Sequence, residues 1–451
     1  MTTVSTTTVS TTTGPSTTGP STTGPVRVAI VMDHPAQQFA GALRLLAAEP
    51  LVRLRVCYGS VAGRSYDPGF SRPVRWDTDL LGGYQWAAPG GRGRGLALAR
   101  WLEGQFRALR PRVVVCYGWA SPVARSCILA CLLSRRPLLL YGDSTWQHSS
   151  RDGTGNQHRG ARGSGGATGG LTRAAARGAA RSAARSLALR ALMKLSAGAI
   201  STGTFNREFY IWHGMDPRRI WPGVCPADTD AFAVARPAGR SRAAGPDCQH
   251  LRQGDSPLRI GFAGKLIPRK GPDELLRAVG LLPPGTRYCV TVVGDGPMLP
   301  ELRGLAGRLG LADRVRFAGF ANTTQMPGLL AGCDVVVVPS RRDMRALVTI
   351  EAMAAGAAVV VSDATAVWGP GDLVQHEVTG LVYPSGDERA LAAALSRLAA
   401  DPALLARLRD AGARRAAGYG PDAFARTMAA AVTRGPGRPP GRGDGPPGTR
   451  P

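Results

Sequence analysis

Short, wholly apolar runs alternate along this chain with longer segments whose apolar positions recur every three or four residues. The short runs predict strands buried on both faces; the longer segments predict amphipathic helices. In the first half the strands fall at Val26–Met32, Val113–Cys116, Leu138–Tyr141 and Ala199–Thr202, with a helix at about Gln38–Ala48. In the second half they fall at Arg259–Ala263, Tyr288–Val293, Val315–Ala318, Asp334–Val338, Ala358–Ser362 and Leu381–Tyr383. The helices between them are Asp273–Leu281, Met298–Leu309, Gln325–Ala331 and Thr349–Ala355, and further helices fill 387–418. Regular alternation of this kind predicts parallel α/β layers, one doubly wound, Rossmann-like domain in each half.

The pattern fails in four places. Residues 1–25 hold repeated Thr-Thr-Gly-Pro, 435–451 are Gly, Pro and Arg, and about 151–170 and 236–256 are polar and rich in Gly or Arg. None can bury a core, so disordered tails and insertions are expected. The organisation that follows is a first domain over 26–235, a linker over 236–256 and a second domain over 257–434. Doubly wound domains bind ligands at the carboxyl ends of their strands, and two that face each other offer a cleft.

Composition changes this picture little. The formal net charge is +25, yet only three of the basic residues are lysines (Lys194, Lys265 and Lys270). Ala, Gly, Pro and Arg run high together, as GC-rich coding produces, so the arginines say little about a polyanionic partner. The basic segments lack interleaved aromatics and any nucleic-acid-binding motif, and no nucleic acid is expected as a partner. The eight cysteines form no C-x-x-C pair and lie mostly in apolar runs, which predicts buried free thiols. No apolar run approaches the roughly 18 residues that span a bilayer. The N-terminus has no basic segment leading into an apolar one, so no signal peptide is expected and the cytoplasm is the expected compartment.

Against that arginine background, two lysines in Gly264-Lys265-Leu266-Ile267-Pro268-Arg269-Lys270-Gly271 stand out. A compact ammonium on a flexible stem suits a phosphate. A second cluster follows the four-valine strand: Asp343 lies in a loop and Glu351 near the start of the next helix, in Asp343-Met344-Arg345-Ala346-Leu347-Val348-Thr349-Ile350-Glu351-Ala352-Met353-Ala354-Ala355-Gly356. Ionised carboxylates only accept hydrogen bonds, which suits sugar and ribose hydroxyls. A helix start offers unpaired N–H groups to an anion.

These segments resemble the retaining, two-domain (GT-B fold) glycosyltransferases of family 4. Asp343 and Glu351 fall on the family's paired Glu positions, eight residues apart, ahead of Ala-Met-Ala-x-Gly. Gly264 to Gly271 resembles its basic phosphate loop. Gly294-Asp295-Gly296-Pro297, Val361-Ser362-Asp363, Asp372-Leu373-Val374 and Thr379-Gly380-Leu381-Val382 also match. The likeness spans 257–420. In the first half, Asp33-His34-Pro35-Ala36-Gln37-Gln38-Phe39, Trp76 to Tyr84, Tyr141-Gly142-Asp143-Ser144-Thr145 and Gly203 to Tyr210 resemble a subset with a His-Pro-x-Gln loop. Three positions depart from the pattern: Asp343 is one methylene short of Glu, Arg345 replaces an aromatic, and Ala346 replaces a turn glycine.

The resemblance implies a nucleotide-sugar donor, transfer with retention, and no metal or other cofactor. Lys265 and Lys270, beside Gly264, would hold the diphosphate and neutralise charge as it leaves. Glu351 would bind the ribose and Asp343 the transferred sugar, with backbone N–H groups of Arg345, Ala346 and Leu347 close by. His34 and Asp143 would face the acceptor across the cleft, His34 as a catalytic group; the acceptor is unidentified, whether glycan, lipid-linked or small molecule. A nucleotide-sugar epimerase on the same fold and a catalytically silent nucleotide-sugar-binding protein are the alternatives. Arg173, Arg177, Arg181, Arg185, Arg190 and Lys194 recur every four or five residues within 173–194. Leu187, Leu189, Leu192 and Met193 add apolar surface. The stripe suits a solvated helix or, equally, peripheral contact with an anionic membrane at its inner face.

Overall fold

The computed structural model describes residues 24–61, 65–91, 95–145, 168–236 and 257–435. The stretches expected to be disordered, 1–25, 151–170, 236–256 and 435–451, lie almost wholly outside these residues. So do the side chains of Arg173, Arg177 and Arg181, although their backbone is helical.

The first half runs β1 (Val26–Met32), α1 (Gln37–Ala48), β2 (Val52–Tyr58), β3 (Ser65–Asp67), β4 (Arg72–Val74), β5 (Trp86–Ala87) and α2 (Gly95–Leu109). It continues with β6 (Val113–Tyr117), α3 (Pro122–Ser134), β7 (Leu138–Gly142), α4 (Thr168–Leu195), β8 (Gly198–Ser201), α5 (Thr204–Trp212), β9 (Ile220–Pro222) and α6 (Thr229–Val234). The second half opens with β10 (Leu258–Ala263), α7 (Pro272–Gly280), β11 (Tyr288–Val293), α8 (Leu299–Arg308), β12 (Val315–Gly319) and α9 (Met326–Ala331). β13 (Val335–Val338), α10 (Val348–Ala354), β14 (Ala358–Ser362), β15 (Leu381–Tyr383), α11 (Glu388–Ala400), α12 (Pro402–Ala416) and α13 (Pro421–Arg434) complete it.

The two large sheets are parallel throughout and never merge. The first has the order β5-β2-β1-β6-β7-β8-β9 and the second β12-β11-β10-β13-β14-β15. Each therefore starts at its centre, winds outward, and reverses at one point, the doubly wound order expected. All four valines of β13 are buried, as helices on both faces of a parallel sheet require. β2 escapes the apolar-run criterion because Arg53 and Arg55 interrupt it (Val-Arg-Leu-Arg-Val-Cys-Tyr), yet its other side chains are buried.

Two helices cross between the halves. α6, the last element of the first half, packs on α9 and α10 of the second. α13, the last of the described helices, packs back on α1, β1 and β9. Phe424 of α13 meets the rings of Phe39 and Tyr141 edge-on, centroids 5.8 and 5.6 Å apart. The expected units of 26–235 and 257–434 are thus tied together by a helix from each. Apolar faces of the terminal helices find their cover in the opposite half, and each unit is completed by a segment of the other.

The apolar residues of the basic stripe also divide. Leu189 and Met193 are core, and only Leu187 stands out on the surface. Arg185 lies over the Trp119 ring at 5.4 Å. No helix among the described residues is long and apolar enough to cross a membrane. Six cysteines (Cys57, Cys116, Cys127, Cys131, Cys225 and Cys333) are free and buried, as expected. Cys289 departs from that expectation and is disulfide-bonded.

Candidate functional site

Strand order reverses between β1 and β6 in the first sheet and between β10 and β13 in the second. Loops leaving neighbouring strands diverge there and open a crevice. After β10 comes the loop with both lysines; after β13 comes the loop with Asp343. Gly271 lets these loops touch: its φ is +65°, and a Cβ would sit 2.1 Å from the Pro339 carbonyl oxygen. Arg341 fastens them further. Its backbone N–H donates to Arg269 O at 2.9 Å, and its guanidinium grips both oxygens of Asp273 at 3.0 and 2.8 Å.

A cavity of about 500 Å³ lies between the two halves at this crevice. Gly264, Lys265, Lys270, Asp343, Arg345, Ala346, Leu347, Glu351 and Asp143 all line it. Residues expected on the donor side and Asp143, expected on the acceptor side, thus line one cavity. His34 does not: it is exposed and lies outside the lining, while Gln37 and Gln38 from the same loop do face the cavity. The chain turns into α1 directly after Ala36, and this start of the helix presents the glutamines instead.

Asp343 is buried and paired with the Lys270 ammonium. Burial acts to raise its carboxyl, but Lys270 and the amides of Ala346 and Arg345 hold it below the usual carboxylate range. Those amides donate to Oδ1 at 3.1 and 3.3 Å. The Arg345 and Ala346 N–H groups, expected to approach a ligand, here bond the Asp343 side chain, which folds back on its own loop. The same turn forces Ala346 to φ +37° while buried, a conformation that glycine tolerates far better.

Glu351 lies in the first turn of α10, and desolvation pushes its carboxyl up to about 7. Arg345 reaches across the cleft: its Nε is 2.7 Å from Asp143 Oδ2, and the guanidinium carbon lies 5.4 Å from the Tyr117 ring centre. Lys265 also reaches across, with Nζ 2.7 and 2.9 Å from the two oxygens of Asp67. Asp67, Phe70, Trp76, Phe320 and Thr323 are lining residues that the strand and helix pattern does not reveal. Asp67 ends a three-residue strand, too short to alternate; the Asp-Pro-Gly turn it begins was the one available signal. Among the described residues no group of three or more His, Cys, Asp or Glu side chains could hold a metal ion.

The chain is close in architecture to solved two-domain structures. HepE from Anabaena, crystallised in complex with UDP, superposes with a TM-score of 0.61 at 17% identity, covering 91% of this chain and all of that one (100%). Sucrose-phosphate synthase from Thermosynechococcus elongatus gives 0.59 at 20% identity over 89% and 97% of the two chains. The fold is GT-B. In sequence, residues 249–415 match the family described as glycosyl transferases group 1. D-Inositol 3-phosphate glycosyltransferase of Streptomyces coelicolor is 36% identical over 235 residues, 46% of this chain and 51% of that one. The chain thus spans about half the length of that relative.

Proposed function

We propose that this protein transfers a glycosyl group from a nucleotide-diphosphate sugar to an acceptor, with retention and without a metal ion. The observation that carries the reading is the convergence of Lys265, Lys270, Asp343 and Glu351 on one interdomain cavity at the switch point of the second sheet. The match of 249–415 to glycosyl transferases group 1, and the likeness to HepE in its complex with UDP, support it. The first-half motifs favour the family 4 subset with the His-Pro-x-Gln loop.

In this reading Lys265 and Lys270 hold the diphosphate and offset the charge that builds up as the glycosidic bond breaks. Glu351 accepts from the ribose hydroxyls. Asp343, fixed by Lys270 and two amides, presents its remaining acceptor capacity to the sugar. The acceptor hydroxyl attacks the sugar carbon from the face the diphosphate vacates, and the departing phosphate takes its proton. Asp143, Gln37 and Gln38 stand on the first-domain wall, where an acceptor would lie. The compartment is the cytoplasm. Arg185, Arg190 and Lys194, exposed on α4, give that domain a basic face for an anionic membrane surface.

The test is a thermal-shift screen against nucleotide-sugars, followed by a nucleoside-diphosphate release assay with EDTA and with Mg²⁺. A selective rise in melting temperature and EDTA-resistant release are expected. Turnover abolished by EDTA and restored by Mg²⁺ would overturn metal independence. Binding without any release would favour a silent sugar-nucleotide-binding protein.

A further inference from the structure

Lys265 is engaged already. Two of its three N–H donors go to the Asp67 oxygens, and its ammonium lies 5.0 Å from the centre of the Phe70 ring. Its stem lies against Gly69, where an added Cβ would meet the lysine Cδ at 2.5 Å. Asp67 is itself held in place: the Gly69 N–H donates to its Oδ1 at 2.8 Å, and the Phe70 N–H donates to its carbonyl at 3.1 Å. All these residues belong to the first half, whereas Lys265 belongs to the second.

The segment 67–77 lies across the cleft as a strap; it packs closely on Gly296, where a Cβ would meet Gly69 O at 2.7 Å, and its other holds on the second half are exposed. Asn322 Nδ2 donates to Arg75 O at 2.9 Å, and Thr324 Oγ1 donates to Asp77 Oδ2 at 2.5 Å, both at exposed positions. Phe70 meets Phe320 edge-on at 5.1 Å, and Arg72 lies 4.8 Å over the same ring.

We propose that Asp67 occupies the place on Lys265 that a nucleoside diphosphate takes, so that binding the phosphates displaces Asp67 and frees the strap. The proposal rests on the donor-site reading of Lys265. Lys265 gives two of its three donors to Asp67, so Asp67 and a diphosphate compete for it, whereas Lys270 gives Asp343 one and keeps donors for both. The Lys265–Asp67 pair is about a third exposed on each side, and such a pair is easily exchanged for a doubly charged partner. The buried Lys270–Asp343 pair has no such freedom and stays as the floor of the site. Asp67 thereby makes phosphate charge the condition of entry. A nucleoside without phosphates gains nothing by opening the strap.

The experiment is titration calorimetry of UDP, GDP, ADP and dTDP, each beside its nucleoside, on the full chain and on Asp67→Asn. If the open form is a minor one, removing the competing charge should tighten the nucleoside diphosphate that binds by about tenfold. The parent nucleoside should not gain. A second variant, Asn322→Ala with Thr324→Val, loosens the strap without touching Lys265 and should shift affinity in the same direction; it carries the test if Asp67→Asn fails to fold. Diphosphate binding that is unchanged or weaker in the variants would overturn the proposal and leave the donor site standing. Absence of diphosphate binding in all three proteins would remove both.

Discussion

Glu351 carries the sharpest consequence at the scale of a single residue. Lys265, Lys270 and Arg345 each have a carboxylate partner, but Glu351 has no ion-pair partner among the described residues. Burial alone lifts its carboxyl from an ordinary 4.5 to about 7. A raised carboxyl makes the folded state bind the proton more tightly than the unfolded chain. Its contribution to stability is therefore complete below about 4.5 and fades as pH rises to 7. Ligand binding has the opposite sign, because only the ionised carboxylate is a full acceptor for ribose hydroxyls. Affinity for a nucleotide-sugar should fall below pH 7, by up to about tenfold per unit, and Glu351→Gln should be weaker and flat. Calorimetry between pH 5.5 and 8.5 checks this; equal slopes in both proteins would exclude Glu351 as the titrating group. The lysines and both acidic residues were legible because spacing within one loop or helix is a local property. Asp67, the partner of Lys265, was not, because 198 positions separate the two.

Among the elements, strands were read best where both faces are buried, since a continuous apolar run leaves little choice. Tyr288–Val293, Ala358–Ser362 and Leu381–Tyr383 have the bounds the pattern gives. β2 and β9 were not read: one carries arginines, and the other is an Ile-Trp-Pro that follows two arginines and ends on a proline. Element ends depend on partners that no local pattern contains. The start of α5 shows why. Its N-cap residue is Gly203, which has no side chain to cap with, and the Thr204 N–H donates instead to Asp372 Oδ1 at 2.8 Å. The cap thus comes from the other half of the molecule, with Phe205 meeting Trp368 edge-on at 5.6 Å beside it. Asp372 is buried, and desolvation pushes its carboxyl up to about 6. Asp372→Ala removes the acceptor and should lower stability by about 1–2 kcal/mol in urea denaturation. Asp372→Asn keeps an acceptor and sheds a buried charge, so it should stay within about 0.5 kcal/mol of the parent. Equal loss in both variants would mean that the charge, not the cap, holds the interface.

At the scale of the whole molecule, the cleft exists because two separately wound sheets are held face to face by elements that belong to neither alone. Two doubly wound domains were legible, since strand–helix alternation repeats twice along the chain. The exchange of α6 and α13 was not, because an amphipathic helix announces an apolar face without saying which sheet will cover it. α13 is the more exposed to test. Phe424, Met428, Ala431 and Val432 are buried, and Phe39 and Tyr141 of the first half lie against Phe424. A chain ending at 420 would lose that cover and uncover aromatic and β1-side core in a domain it does not formally belong to. Removing several buried side chains at once far exceeds the few kcal/mol that a single core truncation costs. Such a chain should therefore unfold its first domain at physiological temperature, while the second sheet keeps its secondary structure on the strength of the one face whose core omits α13; its other face shares a core with α13 and should loosen. A chain ending at 435 should melt like the 451-residue chain. Circular dichroism melts of the two truncations, with limited proteolysis to show which half is cut, separate the outcomes. If the chain ending at 420 retained a protected first domain, α13 would be an appendage, and the cleft would owe its closure to the ion pairs across it.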